Sequence, residues 1–281
     1  MSPQQTSVDK LLFQFILIVA SFFGLWFLLS QVDFVNDDDA ARFAHEKERK
    51  LGEMILESIK STREEIESPE LKAVLDTIAK RICESNDLDC SNLKIHLIRS
   101  SEINAFALPD HHMVIYTGLI DYATNAEELA GVMAHEIGHM EKNHVMKKLT
   151  KEIGLAMLFT IAGGNGGMEV LKETTRVLSS TAFDRSQETE ADMYAVEILA
   201  RSNIDPEHLG NILFRLSRTV DIPKELVWIS THPDSKERAA EILNKRNDYS
   251  FHSEAVIALP WAEVRELAMP SHSENDPNEE D

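Results

Sequence analysis

The chain has 281 residues, 43% of them hydrophobic, which suits one ordinary domain with extras or two small ones. Its 28 basic and 48 acidic residues give a formal charge of −20. That argues against a nucleic-acid partner, because phosphate binding needs clustered Lys and Arg. Two cysteines, Cys83 and Cys90, are too few for a disulfide scaffold or a Cys-rich zinc module. In an oxidising compartment they can close a small loop; otherwise they are two unpaired thiols.

Residues 11–30, "LLFQFILIVASFFGLWFLLS", carry no charge. As a helix they span about 30 Å, the hydrocarbon thickness of a bilayer. The run is longer than the apolar part of a cleavable signal, and no small-x-small cleavage site follows it. An uncleaved transmembrane anchor is therefore expected, with residues 1–10 as a short flank. Orientation is not fixed by charge. Lys10 precedes the run and Arg42, Lys47, Arg49 and Lys50 follow it, which favours a C-terminal part kept inside. The four Asp residues just after the run, Asp33 and Asp37 to Asp39, point weakly the other way.

Residues 40–62 repeat Leu51, Met54, Ile55 and Ile59 at helical spacing. The next helix begins with Ser68 as N-cap and Pro69 at its first position. "LKIHLIR" alternates Leu93, Ile95 and Leu97 against Lys94, His96 and Ile98, a strand pattern. "NAFALPDHHMVIYTG" reads as two short strands about a turn at Pro109–Asp110. A helix then starts at Thr124 or Asn125, each with a glutamate three residues on, and carries Leu129, Val132, Met133, Ile137 and Met140 as its core stripe. The glycine-broken apolar run 153–167 reads as a buried helix ending at Gly163–Gly164, or else as a segment touching a bilayer. Further helices start at Asp184 or Ser186, at Asp205–Pro206, and at Asp234 with Glu237 as its box partner. From about residue 250 the pattern fades into an acidic tail read as disordered.

The chemistry concentrates in "MAHEIGHMEKNH" (133–144). His135 and His139 lie four apart, so one helical face presents both rings to one ion, and zinc accepts imidazole well. Glu136 is placed to reach a water on that ion, the position of a general base. H-E-x-x-H arises by chance in roughly one chain of twenty at this composition, so a third ligand decides the matter. One candidate is His144, although a helix continuing through "MEKNH" would carry it more than a turn past the metal. It is read as a surface residue or one that supports a ligand. The other candidate is an acidic residue in "ETEAD". Glu188 and Asp192 share a helix face, and Glu190 points elsewhere. One can bind zinc while the other accepts a ring N–H from a ligating histidine.

H-E-x-x-H followed by E-x-x-A-D resembles the gluzincin metallopeptidases of family forty-eight. Two more stretches, and the residues around the second motif, carry the resemblance. "NAFALP" (104–109) is similar to that family's edge-strand motif, "DRSQETEAD" to its second zinc helix, and "STHPDSKER" to its His-Pro motif. The resemblance implies a mainly helical α+β zincin-type domain with a small edge sheet, over residues 31–250, preceded by one transmembrane helix and followed by a C-terminal segment, 251–281. It implies one Zn2+ per chain held by His135, His139 and Glu188, with Glu136 as the base. Asp192 would support a ligand and His232 would lie near the open position. Asn104, Ala105 and Phe106 would pair with an extended substrate. Two stretches depart from the pattern: Asp184 replaces the usual Ser, and Asp110-His111-His112 occupies a turn that is usually Gly-Gly. The short, singly anchored envelope proteases of that family match best. The expectation is a metalloendopeptidase of unfolded or membrane-associated proteins, in a bacterial inner membrane with its catalytic domain in the periplasm. The alternatives are a latent zinc-bound chaperone or binding module, and a processing protease for one membrane partner.

Overall fold

The computed structural model describes residues 13–24, 37–218, 227–252 and 254–269. Residues 13–24 are helical and exposed throughout, and Phe13, Phe15, Ile16, Leu17, Ile18, Phe22 and Phe23 all face outward. Twelve helical residues rise only about 18 Å. Among the described residues no helix is long and apolar enough to cross a membrane. The rest of the expected anchor, its flank and the acidic tail lie outside the described residues.

From Asp37 the chain runs α1 (Asp37–Lys60), α2 (Pro69–Glu84), β1 (Lys94–Ile98), β2 (Ala105–Leu108) and β3 (His112–Tyr116). Then follow α3 (Thr117–Tyr122), α4 (Ala126–Glu141), α5 (His144–Glu152), α6 (Leu155–Ala162), α7 (Met168–Ser180) and α8 (Arg185–Arg201). The last are α9 (Glu207–Ser217), α10 (Val227–Thr231), α11 (Ser235–Arg246) and α12 (Trp261–Ala268). Ser68 caps α2 by accepting the Leu71 N–H, with Pro69 at the first position as expected. Cys83, near the end of α2, is joined to Cys90 in a disulfide.

The sheet order is β1-β3-β2, with β1 parallel and β2 antiparallel to β3. Period-two alternation sends Met113 and Ile115 into a core shared with α2, α4, α8 and α9. The intervening Val114 and Tyr116 join a second core with α1, α5, α6 and α7. Both faces are covered, so every residue of β2 and β3 is buried.

The expected core stripe of α4 is buried, with Met140 at its edge. α6 ends at Gly163–Gly164 as expected, and Gly164 takes the left-handed φ of +82° that favours glycine. Only one face of α6 is buried, by Leu158, Ile161 and Ala162; Leu155, Met157 and Phe159 are exposed. α9 starts one residue later than expected, at Glu207 with Pro206 as its N-cap, while Asp205 still accepts the Glu207 N–H. Asp234 forms no capping box with Glu237. It adopts φ +60°, makes no side-chain cap, and faces Arg185 at 3.5 Å. The segment after residue 250 carries α12, which buries Val264 and Ala268 and donates the Trp261 Nε1–H to Ala123 O. Two buried positions in eight residues make too short a stripe to stand out in the sequence.

Candidate metal centre

Three elements build the centre. α4 starts where Asn125 accepts the Glu128 N–H, and Glu128 in turn accepts the Thr124 N–H and pairs with Arg215. This fixed start sets the phase that aims His135 and His139 inward. α8 starts at Asp184, whose capping box with Gln187 orients Glu188 and Asp192. The two helices approach closely at Gly138, where a Cβ would lie 2.9 Å from Ala191 O. His232 directly follows α10, whose Trp228 N–H is bound to Ile103 O and whose Thr231 O accepts the Phe183 N–H.

The ligand atoms converge. His135 Nε2 is 3.0 Å from His139 Nε2 and 3.2 Å from His232 Nδ1. Glu188 Oε1 is 3.3 Å from His139 Nε2 and 3.0 Å from His232 Nδ1. All four side chains are buried. Donors about 2.1 Å from one tetrahedral ion lie about 3.4 Å apart, so the spacing fits one zinc. Three imidazoles and a carboxylate are also a zinc-type donor set.

The surroundings prepare these atoms. Asp192 Oδ1 is 2.9 Å from His135 Nδ1, which leaves Nε2 free to ligate. Arg238 grips Asp192 through two bonds of 2.6 and 2.8 Å and also pairs with Glu188. Burial would raise the Glu188 carboxyl, but His232 and Arg238 outweigh it and hold the group well below the usual carboxylate range. Burial pushes His139 down to about 3, so its ring is neutral, as ligation requires. Glu136 Oε2 accepts the Ala107 N–H from β2 at 3.0 Å, while Oε1 has no partner and lies 3.5 Å from His232 Nε2. Burial, with the Glu188 charge, pushes the Glu136 carboxyl up to about 8. A cation among the ligands would oppose that shift.

The residues named from the sequence thus fall as follows. His135, His139, Glu188 and His232 form one group, with Glu136 and Asp192 against it. Asn104, Ala105 and Phe106 are buried at the sheet edge, and Asn104 Nδ2 donates to Ser179 O at the end of α7. His111 is exposed, while His112 pairs with His96 rather than with the metal group. Asp110 and His111, at φ +60° and +58°, supply the left-handed turn that glycines usually make. Sequence reasoning missed Arg238, Trp228 and Lys148. Arg238 lies six residues beyond His232 within a motif already noted. Lys148 is buried, donates to Thr181 O at 2.6 Å, and sits 4.0 Å over the Phe183 ring that packs on His139.

Compared with known families, residues 65–246 match Peptidase family M48. The chain belongs to this family. M48 metallopeptidases depend on zinc, and the four-residue group is where this M48 chain would hold one ion. Among curated proteins, it is 27% identical to the beta-barrel assembly-enhancing protease of Yersinia pestis over 257 residues, 86% of this chain and 52% of that one. The Escherichia coli K12 protein of the same name is 27% identical over 219 residues, 72% of this chain and 44% of that one. Metalloprotease LoiP of Escherichia coli K12 is 28% identical over 177 residues, 61% of this chain and 69% of that one. The chain spans about half the length of the first two relatives.

Proposed function

We propose that this M48 chain is a membrane-anchored zinc metalloendopeptidase that hydrolyses unfolded or damaged proteins of the bacterial envelope. The observation that carries the reading is the His135–His139–Glu188 group beside a buried carboxylate, Glu136, that is fixed through one oxygen and bare on the other. Zinc held there supplies Lewis-acid polarisation of a carbonyl and makes water a better nucleophile near neutral pH. The protein's own groups do the rest. The Ala107 N–H holds Glu136 Oε2, so Oε1 keeps one orientation. Oε1 takes the proton of the attacking water and returns it to the leaving nitrogen. His232 Nε2, buried and without a hydrogen-bond partner, donates to the oxygen on which negative charge develops. Asn104, just before β2, and Ala105 and Phe106 on it bind an extended substrate backbone, which gives weak sequence preference.

Several observations support the envelope setting. The uncharged run 11–30 has the length of a membrane anchor. The Cys83–Cys90 disulfide fits an oxidising compartment and favours the periplasmic side. Two relatives are named for enhancing β-barrel assembly, which points to outer-membrane proteins or their assembly factors as substrates.

A second reading has its own observation. His232 Nδ1 sits at the fourth corner of the ligand group, where a catalytic zinc would keep an open position. With the end of α7 bound to Asn104, this describes a latent enzyme that opens when substrate displaces His232 and α7. The test is cleavage of unfolded casein by the full chain. A chelator should abolish it, zinc should restore it, and Glu136→Gln should remove it while zinc stays bound. Equal cleavage by Glu136→Gln and parent would refute the proposal. His232→Ala should raise cleavage if the histidine is a latch and lower it if it stabilises the oxyanion.

A further inference from the structure

His144 ends up far from where a continuous helix would carry it. α4 stops at Glu141, and Asn143 takes the left-handed conformation, φ +58°. The chain bends there, α5 begins at once, and the His144 ring folds back behind His139. The ring is fully buried. Its Nδ1 lies 3.1 Å from His139 Nδ1, and its Nε2 lies 3.2 Å from Glu190 Oε2. Glu190 is half exposed on α8, two residues past Glu188, with Lys142 3.8 Å away.

Only one proton arrangement lets His139 ligate through the atom that faces the group. Its Nε2 must be bare, so the proton sits on Nδ1. That N–H donates to His144 Nδ1, which must then be bare. The His144 proton therefore sits on Nε2 and is donated to the Glu190 carboxylate. Every donor meets an acceptor, and the chain ends on an anion. His135 has its own acceptor in Asp192, held by Arg238. Each zinc-binding histidine thus has a separate support, one a carboxylate directly and one a carboxylate through a second imidazole.

We infer that His144 is a positioning residue for the zinc site: with Glu190 it fixes the tautomer and orientation of His139. This rests on the assignment of His135, His139 and Glu188 as the zinc ligands. Partners of this kind are worth about 10–100-fold in metal affinity.

The experiment measures zinc affinity by chelator competition and the thermal stability of the zinc-free chain, for the parent, His144→Leu, His144→Asn and Glu190→Gln. Leucine fills the space but accepts nothing. Asparagine keeps an acceptor near the Nδ1 position and leaves a void. The expected zinc affinities fall in the order parent, Asn, Leu, with Leu at least tenfold below the parent. The expected zinc-free stabilities put Leu at or above Asn. Opposite orders in the two measurements mark a positioning role. Glu190→Gln, at an exposed position that does not endanger folding, should weaken zinc by a few-fold. Zinc affinity unchanged in His144→Leu and Glu190→Gln, or affinities that simply follow stability, would overturn the inference. A parent that binds no zinc would instead overturn the ligand assignment beneath it.

Discussion

Arg238 is fully buried, and its one guanidinium serves two carboxylates, Asp192 and Glu188. Removing one partner from such a group leaves uncompensated buried charge and costs roughly 3–5 kcal/mol. Zinc brings positive charge to the same place. Arg238→Met should therefore destabilise the zinc-free chain by about that amount and the zinc-loaded chain by clearly less. Urea unfolding of both forms checks this; equal losses would mean that Arg238 acts only on packing. At this scale part of the site was legible. His135 and His139 follow from a spacing of four on a helix, and the placing of Glu188 and Asp192 on one face, one toward the metal and one toward a ligating histidine, from the same rule. Arg238 was not, because its meaning depends on packing against a helix forty-six residues earlier. His144 was read as a surface or supporting residue because the helix was carried through Asn143. Asn just past a helix end is a known left-handed stop, and "KNH" held that signal.

Between elements, the closest approach that matters is α4 on α8. A Cβ at Gly138 would meet Ala191 O at 2.9 Å and Ala191 Cα at 3.1 Å, both backbone atoms that cannot step aside. Gly138→Ala must push the helices apart. His139 lies on one helix and Glu188 on the other, so the ligand group should widen. The expected outcome is a loss of about 1–3 kcal/mol in stability together with weaker zinc binding. Unchanged zinc affinity in a destabilised variant would show that the ligand group tolerates the shift. The space that Gly138 leaves beside the rings admits a whole helix. Most helices could be placed from caps and stripes, as Ser68, Asn125 and Asp184 show. The covered faces of β2 and β3 could not, because alternation in sequence does not say that a second core lies on the other side.

On the scale of the molecule, a second histidine pair ties the sheet to the α1–α2 connection, well apart in chemistry from the metal group. His112 Nδ1 lies 2.9 Å from His96 Nε2, His96 Nδ1 lies 2.7 Å from Glu65, and Lys60 also binds Glu65. Lys94 reaches both His112 and Asp110. Burial, with the Lys94 charge next, pushes His112 down to about 4 from 6.5, and burial lowers His96 as well. The unfolded chain takes up a proton near 6.5 that the folded state refuses. Stability from this pair is therefore whole above pH 6.5 and is lost as pH falls from 6.5 toward 4, by at most about 1.4 kcal/mol per unit for each group. His112→Gln should flatten the pH dependence of unfolding in that window, and an identical slope would contradict the assignment. The α+β class and the order of motifs could be read from the sequence, since each motif sits on its own element. The assembly of His232 with the H-E-x-x-H helix could not be read from spacing, because ninety-seven residues separate it from His135. The most direct test of the whole account is an anomalous difference map at the zinc edge from crystals of the zinc-loaded chain. The account predicts a single peak about 2.0–2.2 Å from His135 Nε2, His139 Nε2 and Glu188, with Glu136 beside it and not bonded to it. A peak on other residues, or none at this group, would contradict it.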